Sequence, residues 1–223
     1  MSVAFWTVNT VIKGLLRVAC QVDDRELHHV PQKGPLILVC NHINSLEVPL
    51  IFTHLQPRPV TGFAKSETWD SRWQGPLFDL WGAIPIRRGE VDTRAMRQGL
   101  DALAQGKILA IAPEGTRSGH GRLQTGHAGV VTIALHSGAP LQPIVYYGGE
   151  TISQNLRRLR RTDFHIRVGQ AFHINTHGVR PTREMRQEIT TEVMYRLAAL
   201  LPEAYRGEYC DLSKATTNYI NLI

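Results

Sequence analysis

The first candidate for chemistry is a histidine with a carboxylate five residues after it, His42 and Glu47. Both follow residues 35–40 (PLILVC), an apolar run with the composition of a buried parallel strand. A histidine at the tip of such a strand acts as a general base when a carboxylate fixes its tautomer and stabilises its charged form. On one regular helix the two side chains would point about 140° apart. The pairing therefore requires His42 on the turn and Glu47 in the first turn of the next helix.

The same segment also fits a structural role that involves no chemistry. Asn44 as N-cap and Glu47 three residues later would form a capping box for a helix that runs to about His54. Taken alone, the spacing favours the capping box. The general-base interpretation stays open beside it.

Two consecutive arginines, Arg87 and Arg88, follow a short apolar strand pattern at residues 83–86 (AIPI). A guanidinium group presents a fork of donors that matches the oxygens of a phosphate, so the pair is a candidate anion site. Arginines exposed to solvent are the alternative, and in isolation the pattern favours this alternative.

A third segment, residues 112–118 (APEGTRS), follows the strand pattern of residues 107–112 (KILAIA). Gly115 would let the backbone come close to an anion, and Thr116 and Arg117 would add hydrogen-bond donors. An ordinary turn after a strand is the alternative, and the segment alone slightly favours the turn.

These segments are separated by alternating strand and helix patterns. Strand patterns cover residues 35–40, 60–64, 83–86, 107–112, 141–146, 164–168 and 171–174. Helix patterns cover residues 44–54, 93–105, 128–136 and 181–201, with a helix or loop at 69–81. The alternation predicts an α/β fold, a single domain with a central, mostly parallel sheet flanked by helices. The length of 223 residues also favours one domain.

The composition excludes several classes of protein. Hydrophobic residues make up 43% and charged residues 20%, which argues against wholesale disorder. The three cysteines are far apart, and the sequence has neither a CxxC pair nor an HExxH motif, so it predicts no disulfide framework and no metal site. The net charge of +6 suggests an anionic partner, which is nucleic acid, acidic lipid or a phosphorylated substrate.

Residues 1–22 have the pattern of an amphipathic helix. Phe5 and Leu16 lie on a broad apolar face, and Lys13 and Arg17 lie opposite, with Trp6 beside them. The helix is either an interfacial membrane anchor or a core-packed first helix with a basic edge, and both interpretations stay open.

A run of arginines, Arg157, Arg158, Arg160 and Arg161, is either a solvated surface or a site for anionic headgroups. Nucleic-acid binding is disfavoured, because no motif of interleaved aromatic and basic residues accompanies the run.

Taken in order, the segments resemble the PlsC-like group of glycerolipid acyltransferases, typified by bacterial 1-acyl-glycerol-3-phosphate acyltransferases. That family carries NHxxxxD, GxIPIxR and PEGTR blocks, followed by an apolar block that ends in a proline-containing strand. The matching segments here are Asn41-His42 with Glu47, then residues 82–88, 113–117 and 140–145. The likeness covers about residues 28–210. Glu47 stands where the family has Asp, and His127 stands near a position where the family often has Lys.

The resemblance implies a membrane-associated enzyme that moves a fatty acyl group from acyl-CoA or acyl carrier protein. The acceptor would be the sn-2 hydroxyl of lysophosphatidic acid, and the product phosphatidic acid. His42 would be the general base, and Glu47 would orient it. Substrate would be bound by Arg87, Arg88, Glu114, Gly115, Thr116 and Arg117. No cofactor, metal or nucleic acid is expected. A different lysolipid acceptor, or a catalytically weak lipid-binding relative, is the alternative.

The resemblance and the N-terminal pattern together predict three segments. Residues 1–22 are the amphipathic membrane-interface helix, residues 23–210 the acyltransferase domain and residues 211–223 a C-terminal tail. The expected location is peripheral or monotopic on the cytoplasmic face of the cell membrane.

Overall fold

The computed structural model describes residues 2–90 and 92–223, so residue 1 of the expected N-terminal segment lies outside the described part of the chain. The described residues form seven α-helices: α1 (Val3–Ala19), α2 (Glu47–His54), α3 (Gln74–Leu80), α4 (Thr93–Ala104), α5 (Gly129–Ser137), α6 (Ile152–Arg157) and α7 (Arg183–Leu200). They also form nine β-strands: β1 (Cys20–Asp23), β2 (Leu36–Cys40), β3 (Val60–Lys65), β4 (Ile84–Ile86), β5 (Ile108–Ile111), β6 (Leu141–Tyr147), β7 (Thr162–Val168), β8 (Phe172–Ile174) and β9 (Ile220–Leu222).

All the described strands belong to one sheet. Its order is β1-β7-β6-β2-β5-β3-β4, with β8 beside β6 and β9 beside β8. β2 lies between β5 and β6 and is parallel to both, and β3 and β4 continue the parallel arrangement. β7 and β8 run antiparallel to β6. The predicted fold, an α/β domain with a mostly parallel sheet flanked by helices, is confirmed.

Helices cover both faces of the sheet at its central strand, β2. Leu36 and Leu38 join the core under α1, α2 and α3, whereas Ile37 and Val39 join the core under α4, α5 and α7. Successive residues of a strand point to opposite faces, so a strand covered on both sides is apolar at every position. The polar residues that follow Cys40 therefore lie at the carboxyl edge of the sheet.

Two short strands lie outside the expected strand patterns. β1 follows α1 directly and pairs in parallel with β7, where Cys20 is opposite Thr162. β9 pairs antiparallel with β8. The segment before β9 is held by the buried Glu192 carboxylate, which accepts a hydrogen bond from the backbone N–H of Asn218 at 2.7 Å. The sheet thus takes in residues on both sides of the expected 23–210 domain.

α1 packs against the domain on one side and presents apolar side chains to solvent on another. Phe5 and Leu16 are buried in the core beside α2. The buried Asn9 accepts a hydrogen bond from Nε1 of Trp81 at 3.0 Å. An adjacent stripe of the helix is apolar and exposed, formed by Val3, Val11, Leu15 and Val18. None of the helices in residues 2–90 and 92–223 combines the length and the apolar character needed to cross a membrane.

Candidate active site

The site is built on the loop that leaves β2 in the middle of the sheet. Asn41, the first residue of this loop, is buried and bonds the backbone of Tyr146 on β6 twice. Its Nδ2 donates to the Tyr146 carbonyl and its Oδ1 accepts from the Tyr146 N–H, both at 2.8 Å. Asn41 therefore fixes the start of the loop to the neighbouring strand. The sequence alone does not indicate this contact, because the two residues are 105 positions apart.

The loop brings His42 and Glu47 together. His42 Nδ1 lies 3.4 Å from Glu47 Oε2, and their side chains are 14% and 2% exposed. Glu47 Oε1 accepts hydrogen bonds from the backbone N–H groups of Ile43 at 3.1 Å and Asn44 at 2.9 Å. Within the described part of the chain Oε2 accepts no hydrogen bond, so it is available to the imidazole. A carboxylate facing Nδ1 favours the tautomer that carries its proton there, which leaves Nε2 free to act as a base.

Helix α2 begins later than the capping-box interpretation requires. Its first residue is Glu47, with Leu46 at the N-cap position and no side-chain cap. Asn44 Oδ1 instead accepts a local hydrogen bond from the Leu46 N–H at 2.7 Å. The capping box with Asn44 as N-cap is therefore not formed, and Glu47 binds backbone N–H groups of the loop with one oxygen and faces His42 with the other.

Glu114 supports the His42 loop from the neighbouring strand end. It is buried, and its Oε1 accepts from the His42 backbone N–H at 2.9 Å while Oε2 accepts from the Gln124 N–H at 3.0 Å. Burial raises the pKa of Glu114, although these hydrogen bonds oppose the shift. The Ser118 N–H donates to the His42 carbonyl at 2.8 Å. Residues 114–118 thus hold the backbone of the candidate base on both sides.

Arg88 and Arg117 form the basic part of the site. Arg117 Nη1 donates to Ser45 Oγ at 2.6 Å, within the His42 loop. Partial removal from water lowers the pKa of Arg88, and the positive charge of Arg117 lowers it further. The Glu67 carboxylate opposes this shift, and the two positive charges of Arg88 and Arg117 make this edge of the site a candidate for binding an anion.

Arg87 is turned away from this pair. Its Nε lies 3.1 Å from Glu90 Oε1 and 3.8 Å from Asp92 Oδ2. Arg87 therefore pairs with acidic residues, whereas the charge of Arg88 interacts with that of Arg117.

Thr116 lines a cavity next to the His42 loop, and Gly115 precedes it in the chain. Gly115 has φ +67°, and a Cβ there would be 3.4 Å from Cδ2 of His127, so the turn favours glycine. The cavity has a volume of about 470 Å³. Its lining includes Glu114, Thr116, His120, Arg122, Gln124, Thr125, His127 and Glu208.

Cys40, two residues before His42, is part of the core. Burial raises the pKa of its thiol, and the nearby Glu47 and Glu114 add to this. Its Sγ donates to the Ile111 carbonyl. Across residues 2–90 and 92–223, no three His, Cys, Asp or Glu side chains gather as a metal site would require.

Known proteins resemble the chain in both sequence and structure. The sequence profile of the family described as Acyltransferase matches residues 21–147. A 1-acyl-sn-glycerol-3-phosphate acyltransferase of Bacillus subtilis is 24% identical over 185 residues, which are 83% of this chain and 89% of that protein. A lyso-ornithine lipid O-acyltransferase of Pseudomonas aeruginosa is 33% identical over 113 residues, which are 50% of this chain and 43% of that protein.

The fold is shared with a solved structure. The crystal structure of the 1-acyl-sn-glycerophosphate (LPA) acyltransferase PlsC from Thermotoga maritima superposes with a TM-score of 0.64 at 19% identity. The match covers 88% of this chain and 78% of that chain. The family match over residues 21–147 and the named relatives show an α/β enzyme of the acyltransferase class. The chain belongs to the acyltransferase family, in its PlsC-like group, and the resemblance stated from the motifs is confirmed.

Proposed function

We propose that the chain transfers a fatty acyl group from an acyl thioester to the sn-2 hydroxyl of lysophosphatidic acid, which gives phosphatidic acid. The observation that carries the proposal is the 3.4 Å approach of the buried Glu47 carboxylate to His42 Nδ1. The neighbouring Arg88 and Arg117 support a phosphorylated acceptor. The Bacillus subtilis relative, named for 1-acyl-sn-glycerol-3-phosphate, supports the same acceptor.

In the proposed reaction His42 Nε2 removes the proton of the acceptor hydroxyl as its oxygen attacks the thioester carbonyl. The carbon–sulfur bond then breaks, and the thiolate leaves and takes the proton from the imidazolium. Glu47 stabilises the imidazolium between these two steps and keeps the ring in the required tautomer. A thioester is already activated, so the transfer needs no metal, redox cofactor or acyl-enzyme. Acyl-CoA and acyl carrier protein both provide such a donor.

The acceptor phosphate would lie between Arg88 and Arg117. Guanidinium forks bind phosphate oxygens with paired hydrogen bonds. Ser45 already accepts from Arg117 at 2.6 Å, which orients the guanidinium beside the His42 loop. Gly115 and Thr116 would offer the backbone and a hydroxyl donor at the same edge.

Membrane association would use the exposed stripe of α1. Val11, Leu15 and Val18 are exposed, and Arg17 adds an exposed cation at the same end of the helix as Val18. Because the opposite side of α1 is packed on the domain, the protein would bind the bilayer through one face and remain peripheral or monotopic. The thiols of Cys20, Cys40 and Cys210 are free in the described structure, which suits the reducing cytoplasmic side.

A second candidate acceptor is a lyso-ornithine lipid. The Pseudomonas aeruginosa relative with this printed activity is 33% identical over 113 residues. The name of this relative favours the second candidate, whereas no feature of the site does. A lyso-ornithine acceptor would leave Arg88 and Arg117 without a phosphate monoester to bind.

An acceptor panel tests the proposal. The purified chain receives one labelled acyl-CoA or acyl-carrier-protein donor with lysophosphatidic acid, glycerol 3-phosphate, lysophosphatidylcholine or a lyso-ornithine lipid. The proposal predicts the highest kcat/KM with lysophosphatidic acid. A preference for lyso-ornithine lipid would select the second candidate, and lipid binding without turnover on any acceptor would contradict both.

A further inference from the structure

We propose that residues 156–161, here called the Leu159 turn, form a second membrane-contacting element that binds anionic headgroups and inserts Leu159 among them. The inference rests on the membrane association proposed above and extends it from α1 to a separate segment. Its starting point is Leu159, which is 97% exposed. Leu156, in the same turn, is also exposed.

The turn holds this leucine outward in a defined conformation. Leu159 has φ +52°, a left-handed geometry that residues with bulky side chains rarely adopt. Backbone bonds close the turn, from the Leu159 N–H to the Leu156 carbonyl at 3.1 Å and from the Arg160 N–H to the Asn155 carbonyl at 2.9 Å. The Asn155 side chain also donates to Thr162 Oγ1 at 3.1 Å. Leu156 and Leu159 therefore form an exposed apolar tip whose backbone conformation is held by hydrogen bonds.

The Leu159 turn is attached to the carboxyl end of α1. Arg161 Nη2 donates to the backbone carbonyls of Arg17 and Cys20, each at 2.7 Å. Thr162, the next residue, is the β7 partner of Cys20 in the sheet. The exposed Val18 lies at the same end of the helix. The turn and the apolar stripe of α1 are therefore neighbours at one corner of the domain.

The charge around Leu159 selects an anionic bilayer as the partner. The turn carries four exposed arginines, and the end of α1 adds one exposed cation: Arg157, Arg158, Arg160, Arg161 and Arg17. Guanidinium groups bind lipid phosphates, and the leucine between them enters the region below the headgroups. An apolar tip surrounded by cations matches the polarity of a bilayer surface, which is anionic outside and apolar beneath.

The first test removes charge from the turn. The test variant replaces three exposed arginines: Arg157→Gln, Arg158→Gln and Arg160→Gln. The control variant removes the same charge from helices on the other face of the sheet: Arg94→Gln, Arg97→Gln and Arg183→Gln. Co-sedimentation is measured with phosphatidylcholine vesicles and with vesicles of phosphatidylcholine and phosphatidylglycerol. On the anionic vesicles we expect the partition coefficient of the test variant to fall on the order of a hundredfold. The control variant should bind nearly as the wild type does.

The second test removes the apolar tip by Leu159→Gly. Glycine adopts positive φ without strain, so the variant should melt no lower than the wild type, which excludes unfolding as a cause. We expect about tenfold weaker binding to the anionic vesicles. Binding equal to the wild type in both turn variants, or an equal loss in the control variant, would overturn the proposal.

One further outcome would also overturn it. If the arginine substitutions leave vesicle binding unchanged but lower kcat/KM for an acyl-carrier-protein donor, the turn binds an acidic protein and the lipid assignment is wrong. Acyl transfer to acceptor in detergent micelles is measured in parallel. If the wild type shows no transfer there, the proposed function fails, while the vesicle comparison still decides the role of the Leu159 turn.

Discussion

Replacement of Glu47 by glutamine removes the charge beside His42 and little else. Glutamine has the same length, so its amide oxygen can keep the backbone N–H groups of Ile43 and Asn44. Its NH2 group then faces Nδ1 and donates to it, which favours the tautomer with the proton on Nε2. The variant therefore loses both the stabilisation of the imidazolium and the free base at Nε2.

The magnitude follows from the distance. At the 3.4 Å that separates Nδ1 and Oε2, opposite charges attract by about 5 kcal/mol at an effective dielectric constant of about 20. The amide dipole and local water offset part of this loss. We expect kcat to fall roughly 1,000-fold, which corresponds to about 4 kcal/mol.

The assay follows release of the donor thiol at saturating donor and acceptor, with Tm measured on the same samples. Glu47→Asp is the matched control, because it keeps the charge while the carboxylate moves by about one C–C bond, and its kcat should stay within about tenfold of the wild type. Full activity of Glu47→Gln at an unchanged Tm would mean that Glu47 only binds the backbone of the loop and does not assist His42 in catalysis.

Three further predictions concern the rest of the surface. In steady-state kinetics, Arg88→Ala should raise KM for lysophosphatidic acid about tenfold or more, because a charged hydrogen bond to the acceptor is lost. Arg87→Ala is the control, and its KM should stay near that of the wild type because Arg87 pairs with Glu90. Arg25 and Arg167 hold the pKa of Asp23 below its usual range. The ionised Asp23 carboxylate therefore stabilises the fold above about pH 4, and this stability is lost as the pH falls through the pKa of Asp23 in the folded state. Acid unfolding followed by circular dichroism should be less steep below that pH in Asp23→Asn. Leu15→Ser should weaken vesicle binding about tenfold without lowering Tm, since Leu15 is exposed. Co-sedimentation of this variant equal to that of the wild type would argue against α1 as an anchor.

The sequence predicted the central strands and the residues at their tips. An unbroken apolar run such as residues 35–40 requires burial on both faces, and in a parallel sheet the polar residues after it gather at one edge. The same rule predicts that His42, two residues after the run, lies at this edge, whereas its role as a base came from the resemblance to the family. The role of Glu47 stayed divided between cap and catalytic partner, because the answer depends on where helix α2 begins. The helix begins at Glu47, so Asn44 is not its N-cap, and the Glu47 carboxylate binds the loop with one oxygen and faces His42 with the other.

The sequence did not predict contacts between distant segments. The hydrogen bonds of Asn41 to Tyr146 and the pairing of β1 with β7 join residues more than a hundred positions apart. A strand of four residues such as β1 also has too little periodicity to be recognised. The different directions of Arg87 and Arg88 depend on the acidic residues that follow them, and two adjacent arginines look alike in a sequence.

Replacement of His42 by alanine removes the proposed base of acyl transfer. The His42 side chain is 14% exposed at the edge of the sheet, so its removal should leave Tm nearly unchanged. Transfer of a labelled acyl group to lysophosphatidic acid should fall at least 1,000-fold, in line with the loss of a general base and its carboxylate partner. Turnover near that of the wild type in the folded variant would mean that His42 is not the base.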